Sequence, residues 1–235
     1  MRSRIAIVSP NAADGLPADE MERREARLMS RIGADFDRRH FFPTGVTVFA
    51  RPFTMEHITS VADLTLDAMR QAAAWDPDVI LTLGGIEPAV AAGREILGDI
   101  PIVGTAKSTY DVATSIGGRM GLLVYEEKII EPIMGLAKKY GVDGMVANCR
   151  AIDIPLPELY PRRPEVRERV VEVGRRLIEE DGATMLFAQG LSMVPSSMPA
   201  EELAGILGVP VLDGELSTVR AAEIVATARS AARGR

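Results

Sequence analysis

Two stretches of this chain repeat one pattern, and the repeat narrows the folds open to it. ILTLGGIEPAVAAGREILGDIPIVGT begins at Ile80, and MLFAQGLSMVPSSMPAEELAGILGVPVLDGE begins at Met185. Each runs from an apolar strand through a glycine loop and a helical spacing into a short strand led by proline, then a polar turn. Either the chain holds two similar half-domains, or these are two ordinary βαβ units with generic features in common. Around them, strand-sized apolar runs alternate with helix-length segments. The spacing predicts strands at Arg4–Val8, Val46–Phe49, Val79–Leu83, Ile102–Val103, Gly121–Val124, Gly144–Ala151, Thr184–Ala188 and Val209–Val211. It predicts helices over Ile58–Ala74, Lys128–Tyr140, Glu165–Glu180 and Thr218–Arg233, the last packing back on the first half. Strands alternating with helices imply a parallel sheet covered on both faces, hence the α/β class.

Composition excludes several functions. The 235 residues are 47% hydrophobic, enough for a substantial core. The net charge of -6 argues against a nucleic-acid binder. The basic run Arg23, Arg24, Arg27, Arg31, Arg38 and Arg39 is interleaved with acids and reads as a solvated helix face. No apolar run is long enough to span a bilayer, and the start MRSRIAIVSPN is too short in apolar residues for a signal peptide. A single cysteine, Cys149, rules out an internal disulfide framework and fits a reducing cytoplasm. With only His40 and His57, a His/Cys metal site is not expected.

Motifs then add a resemblance. They are Val8-Ser9-Pro10-Asn11, Pro101-Ile102-Val103-Gly104, Arg150-Ala151-Ile152-Asp153-Ile154-Pro155, Glu180-Asp181-Gly182-Ala183 and Gly208-Val209-Pro210-Val211-Leu212-Asp213-Gly214. In this order they resemble the Asp/Glu/hydantoin racemase superfamily, which includes hydantoin racemases, arylmalonate decarboxylases and maleate isomerases. The likeness is weakest over Gly15–Thr54, which reads as an added, charged segment suited to a lid or an oligomer contact. The resemblance implies two pseudo-symmetric Rossmann-like lobes with parallel sheets and an active-site cleft between them. The expected division is 1–105 plus 214–235 for the first lobe and 106–213 for the second. It also implies two cysteines that deprotonate and reprotonate one carbon from opposite faces, a task suited to thiols because their pKa is tunable. Aligned through Glu87-Pro88, and through Asp181-Gly182 with Met193, those positions are Gly84 and Gly190. Glycine holds no proton, so a two-thiol mechanism is not expected.

The remaining candidates each carry two readings. Gly84 and Gly85 form an oxyanion or carboxylate nest, or simply a tight βα turn. In the matching loop Gln189-Gly190-Leu191-Ser192, Gln189 meets a ligand or buried backbone, and Ser192 binds a carbonyl or caps a helix. The resemblance makes Asn11 a substrate anchor; otherwise it is a turn residue. Glu87 is a replacement base, or an acid placed by a helix dipole. Ser108 and Thr109 hold a substrate carboxylate, with Lys107 neutralising it, or cap a helix starting near Tyr110. Tyr125 is an acid or clamp, since related branches grip the substrate carboxylate at this turn. Glu126 and Glu127 read as solvated helix acids, Cys149 as a small core residue, Asp153 and Asp213 as turn residues, and His57 as a capping or surface residue. Together these residues predict a cofactor-independent enzyme acting through an enolate or oxyanion on a small carboxylate, imide or hydantoin-like compound. Glu87 and Tyr125 are its candidate proton-transfer groups; isomerase, lyase and hydrolase outcomes are not separated. The alternative is a catalytically silent binding protein that keeps the cleft. No metal, nucleic acid or membrane partner is expected, and family analogy suggests a homo-oligomer.

Overall fold

The computed structural model describes residues 2–45 and 49–234. The strand expected at Val46–Phe49 lies outside them except for Phe49, which is in a turn. By internal packing the chain divides into two units. Unit 1 comprises Met1–Ala50, Met55–Thr105 and Thr218–Arg235; unit 2 comprises Arg51–Thr54 and Ala106–Ser217.

Unit 1 is built on four parallel strands, β1 (Ser3–Val8), β2 (Phe36–Phe41), β3 (Val79–Thr82) and β4 (Ile102–Gly104), in the order β2-β1-β3-β4. Side chains alternate across the sheet, so each strand feeds two apolar layers. Ile5, Ile7, Val79 and Leu81 pack against α1 (Ala18–Arg31) and α8 (Gly214–Ala232) through Leu28, Ile32, Val219, Ala222 and Ala226. Ala6, Val8, Ile80 and Ile102 pack against α2 (Met55–Ala73) and α3 (Val90–Ile96) through Ala68, Met69, Ala72 and Val90. The C-terminal helix therefore returns to the first sheet, as expected.

The segment 15–54 is not an appendage. Its helix α1 carries part of the core, and its strand β2 pairs along the whole of β1. The sequence FDRRHF does not look like a strand because an edge strand leaves most of its side chains in water. On α1, Arg23 and Arg24 turn back onto Glu20, whose carboxylate is buried. Phe53 clusters instead with unit 2, where its N–H donates to Glu126 Oε1 (3.3 Å).

Unit 2 repeats the topology. Strands β5 (Met120–Val124), β6 (Val146–Ala151), β7 (Met185–Ala188) and β8 (Val211–Leu212) are parallel in the order β6-β5-β7-β8. In both units the first strand in sequence is central, the second flanks it, and the third and fourth follow on the other side. The repeated pattern in the sequence is thus a repeated fold. Helix α6 (Arg163–Glu179) lies on β5 and β6, α7 (Ala200–Leu207) on β8, and α5 (Ile130–Lys139) beside β6. Tyr110 of α4 (Thr105–Ile116) stands edge-on to Phe187 of β7. Asp213 caps α8 by accepting the Leu216 N–H (3.0 Å), and Asp153 sits in a left-handed turn (φ 57°) past β6. Both are turn residues, as the sequence suggests.

Arg150 ties β6 to the turn before β7, through Asp181 (2.6 Å) and Glu180 (2.8 Å). The Arg150 hydrogen bond holds the Asp181 carboxyl below its ordinary range. A carboxylate favoured as the anion in the fold contributes stability above its unfolded pKa of about 4 and loses it as pH falls through the lower folded value. Asp181→Asn is therefore expected to cost about 1 kcal/mol or less at pH 7, because the pair is partly solvated. The difference from the parent should shrink in urea titrations as pH falls below about 4, as the folded carboxyl takes up its proton.

Candidate active site

In parallel α/β sheets, function gathers where strands end. In unit 1, β1 and β3 end side by side, with the Leu83 N–H donating to Val8 O (3.0 Å). The chain past β3 does not enter a helix at once. Residues 83–89 form turns, and α3 opens only at Val90. Gly84 and Gly85 are therefore not at that helix's N-terminus, contrary to the sequence reading. Gly84 has φ 116°, where side-chain-bearing residues are strained. A Cβ there would meet only Pro10 Cγ at 3.4 Å, an ordinary contact, so backbone conformation and not space selects glycine. Asn11 follows, buried, one residue beyond Pro10.

Glu87 is also outside α3, in a left-handed conformation (φ 53°), and it is buried. Its carboxylate lies directly on Gly104: a Cβ at Gly104 would overlap Oε1 and stand 2.5 Å from Cδ. Gly104 ends β4, and α4 begins at the next residue. The carboxylate thus lies beside the residue that joins β4 to α4. Because α4 opens at Thr105, Ser108 and Thr109 are buried inside the helix and not at its N-cap position. Lys107 is exposed and ion-paired with Asp111 (2.5 Å).

In unit 2, β5 and β7 likewise end together, with the Gln189 N–H donating to Leu123 O (2.9 Å). Tyr125 follows β5 immediately, and Gly190 comes two residues after β7. The phenol of Tyr125 rests on the Gly190 backbone. A Cβ at Gly190 would overlap Cζ and Oη and lie 2.7 Å from Cε2. Tyr125 Oη also accepts the Ser192 N–H (3.4 Å). No helix begins here: residues 191–197 are turns, and α7 opens at Ala200. Ser192 is therefore not a helix cap. Its hydroxyl pairs with Tyr160 Oη (2.8 Å), and its carbonyl accepts the Ser197 hydroxyl (2.6 Å). Gln189 is buried, and its Oε1 accepts the Tyr110 hydroxyl (2.8 Å). Leu191 is half-buried between them.

Three of the chain's four tyrosines thus grip residues 189–192. Tyr110 and Tyr160, like Gly104, do not stand out in the sequence, because their partners lie 79, 32 and 17 positions away, the last being Glu87. Glu126 is no solvated acid; it accepts the N–H groups of Phe53 and Leu156 (both 3.3 Å). Glu127 is exposed. His57 is buried in the first turn of α2, not a surface residue. Cys149 is buried in β6, and burial pushes its thiol up to about 12, so it stays protonated and unreactive near neutrality. Among the described residues, no cluster of His, Cys, Asp or Glu could hold a metal, and no helix is long and apolar enough to cross a membrane.

A model of the family described as Asp/Glu/Hydantoin racemase matches residues 8–222. The chain belongs to this family. A hydantoin racemase of Pseudomonas sp. (strain NS671) is 30% identical over 142 residues, covering 59% of this chain and 54% of that protein. One from Rhizobium meliloti is 28% identical over 162 residues, covering 67% and 64%. The matched region thus spans between about half and two thirds of the length of these curated relatives. In fold, the chain is similar to allantoin racemase from Klebsiella pneumoniae, with a TM-score of 0.83 at 21% identity over 96% of this chain and 88% of that one. These findings bear out the resemblance and the α/β two-lobe fold class.

Within this racemase-family fold, the Tyr125–Gly190 contact makes a testable demand. Gly190→Ala is expected to cost about 1–3 kcal/mol, the usual range for overpacking. In a Tyr125→Ala background the same change should cost much less, since the clashing ring is gone. A double-mutant cycle from denaturant unfolding measures the coupling, expected to exceed about 0.5 kcal/mol.

Proposed function

We propose that this chain is a cofactor-independent enzyme acting on a small carboxylate, imide or hydantoin-like compound through an enolate or oxyanion, with proton transfer by oxygen groups and not by thiols. One observation carries the reading: the Tyr125 phenol occupies the space into which any side chain at Gly190 would project. If Gly190 and Gly84 stand at the family's cysteine positions, the oxygen of Tyr125 takes the place of one thiol. Tyr125 is then the acid. The Ser192 N–H at its oxygen stabilises the charge left when the proton is given up.

Glu87 is the base in this reading. Its carboxylate lies on Gly104 at the end of β4 and supplies the acceptor oxygens a base needs. Asn11, Gly84, Gly85, Ser108, Thr109, Gln189, Gly190, Leu191 and Ser192 are proposed to bind substrate. The tyrosine contacts on 189–192 hold that loop rigid, which favours preorganised donors over donors that must reorient during reaction. Removal of a proton next to a carbonyl, return of it to either face, or loss of carbon dioxide all pass through such an anion. The substrate decides which occurs.

Incubation in D₂O with hydantoins, amino acids and substituted malonates tests this, following α-deuteration, optical rotation and release of CO₂. Tyr125→Phe is expected to lower kcat about 10²- to 10⁴-fold with little change in melting temperature, the usual range for losing a general acid. Iodoacetamide and Cys149→Ala should leave turnover unchanged. Ligands that raise the melting temperature without turning over would point to a binding protein instead.

A further inference from the structure

Away from these groups, unit 1 holds a second constellation. Ser9 directly follows β1, His40 lies in β2, and Glu25 lies in α1. Ser9 Oγ is 3.0 Å from His40 Nε2, and His40 Nδ1 is 2.6 Å from Glu25 Oε2. Sheet register explains the meeting. Ile7 pairs with His40, so His40 shares the face of Ile7 and, two residues on, of Ser9. That face is covered by α1, which supplies Glu25 one turn before the core residue Leu28. His40 is further fixed by stacking on Phe42, with ring centroids 4.0 Å apart.

The chemistry of the partners orients the protons. An ionised carboxylate only accepts, so Nδ1 carries the proton that Glu25 receives. In the neutral ring Nε2 is then a lone pair, and the Ser9 hydroxyl must donate to it. A hydroxyl donating to an imidazole that is oriented by a carboxylate is the arrangement of an activated serine nucleophile. Its place supports the same conclusion. The Ser9 N–H reaches Phe41 O (3.4 Å) and the adjoining Pro10 touches the Gly84 position, so the group sits at the ligand-binding edge of the sheet.

We propose that Ser9, His40 and Glu25 form a serine acyl-transfer centre for a small carboxylic ester or cyclic imide. Ser9 Oγ adds to the carbonyl carbon while its proton passes to His40 Nε2. The bond from that carbon to the leaving oxygen or nitrogen breaks, and His40 returns the proton to the leaving atom. Water then attacks the Ser9 ester by the same relay, releasing the acid and restoring the hydroxyl. Glu25 is a positioning residue that holds the ring and offsets its positive charge. Ser9 is only 9% exposed, which restricts the centre to compact substrates.

The full-length protein is treated with ethyl fluorophosphonate and, separately, with p-nitrophenyl acetate. Ser9 Oγ should displace fluoride from the phosphonate once per chain, and peptide mapping should place the label on Ser9. The ester should give a burst of p-nitrophenol equal to the protein present. Ser9→Ala should abolish both, and His40→Gln should slow labelling at least about 100-fold, the usual worth of a general base. Glu25→Gln should slow labelling with an unchanged melting temperature, and Glu25→Asp should restore part of the rate, which a purely structural contact would not do. No label on Ser9 in the parent, or labelling of His40→Gln at the parental rate, overturns the proposal. Because mapping in the parent is decisive alone, a variant that fails to fold does not rescue it.

Discussion

The site in the second unit depends on the contact between the Tyr125 ring and the backbone of Gly190. Adjacent parallel strands end about 4.8 Å apart, so groups just past their ends compete for one small volume. Tyr125 follows β5 and Gly190 follows β7, and these strands are hydrogen-bonded neighbours. An aromatic ring and a side chain on the neighbouring loop cannot both fit there. With the ring in place, the loop must carry glycine, and the N–H of Ser192, two residues on, donates to the phenol oxygen. Tyr110 and Tyr160 then fix the residues on either side. The conformation of 189–192 is therefore set by aromatic side chains, in a stretch that has no regular secondary structure of its own.

The first unit meets the same competition with other parts. Glu87, on the loop after β3, fills the space over Gly104 at the end of the neighbouring strand β4. Here the polar side chain is on the loop and the glycine on the strand, the reverse of the second unit. Gly84 answers a different need, a backbone conformation closed to other residues. Two glycines that look alike in the sequence, each near the end of an apolar strand, are thus held for different physical reasons. Gly84 would strain if it bore a side chain, and Gly190 would collide.

The fold was legible in the sequence wherever strands are buried on both faces. Val79–Thr82 and Met185–Ala188 are wholly buried, and their continuous apolar runs mark them plainly. Phe36–Phe41 was not legible, because its exposed middle residues are charged and its pairing partner, β1, lies about thirty positions earlier in the chain. The start of α4 was hidden because the strand passes into it without a loop, and the glycine loops misled because they suggest helices that open several residues later. Of the candidate site, the apposition of Tyr125 and Gly190 could not be read locally, since their separation in sequence says nothing of register between β5 and β7. Ser9, His40 and Glu25 were hidden for the same reason, Glu25 most of all, since it belongs to a helix whose charges read as a solvated face.

Burial holds the thiol of the chain's single cysteine protonated, and the chemistry proposed for the protein rests instead on oxygen and nitrogen groups. Two sets of them lie at strand ends in unit 1, and they address different atoms of a carbonyl compound. In the roles proposed for them, Glu87 would remove a proton from the carbon beside the carbonyl, whereas Ser9, relayed through His40, would add to the carbonyl carbon itself. The first leaves the skeleton intact or releases carbon dioxide; the second cleaves an ester or imide through a covalent intermediate. Cyclic imides and hydantoins offer both atoms in one small ring. A protein with both sets could therefore epimerise such a ring, open it, or do both in turn. The outcome would depend on which carbon is held nearer its oxygen, and both sets stand where β1 and β3 end side by side, joined by the Leu83 N–H donating to Val8 O.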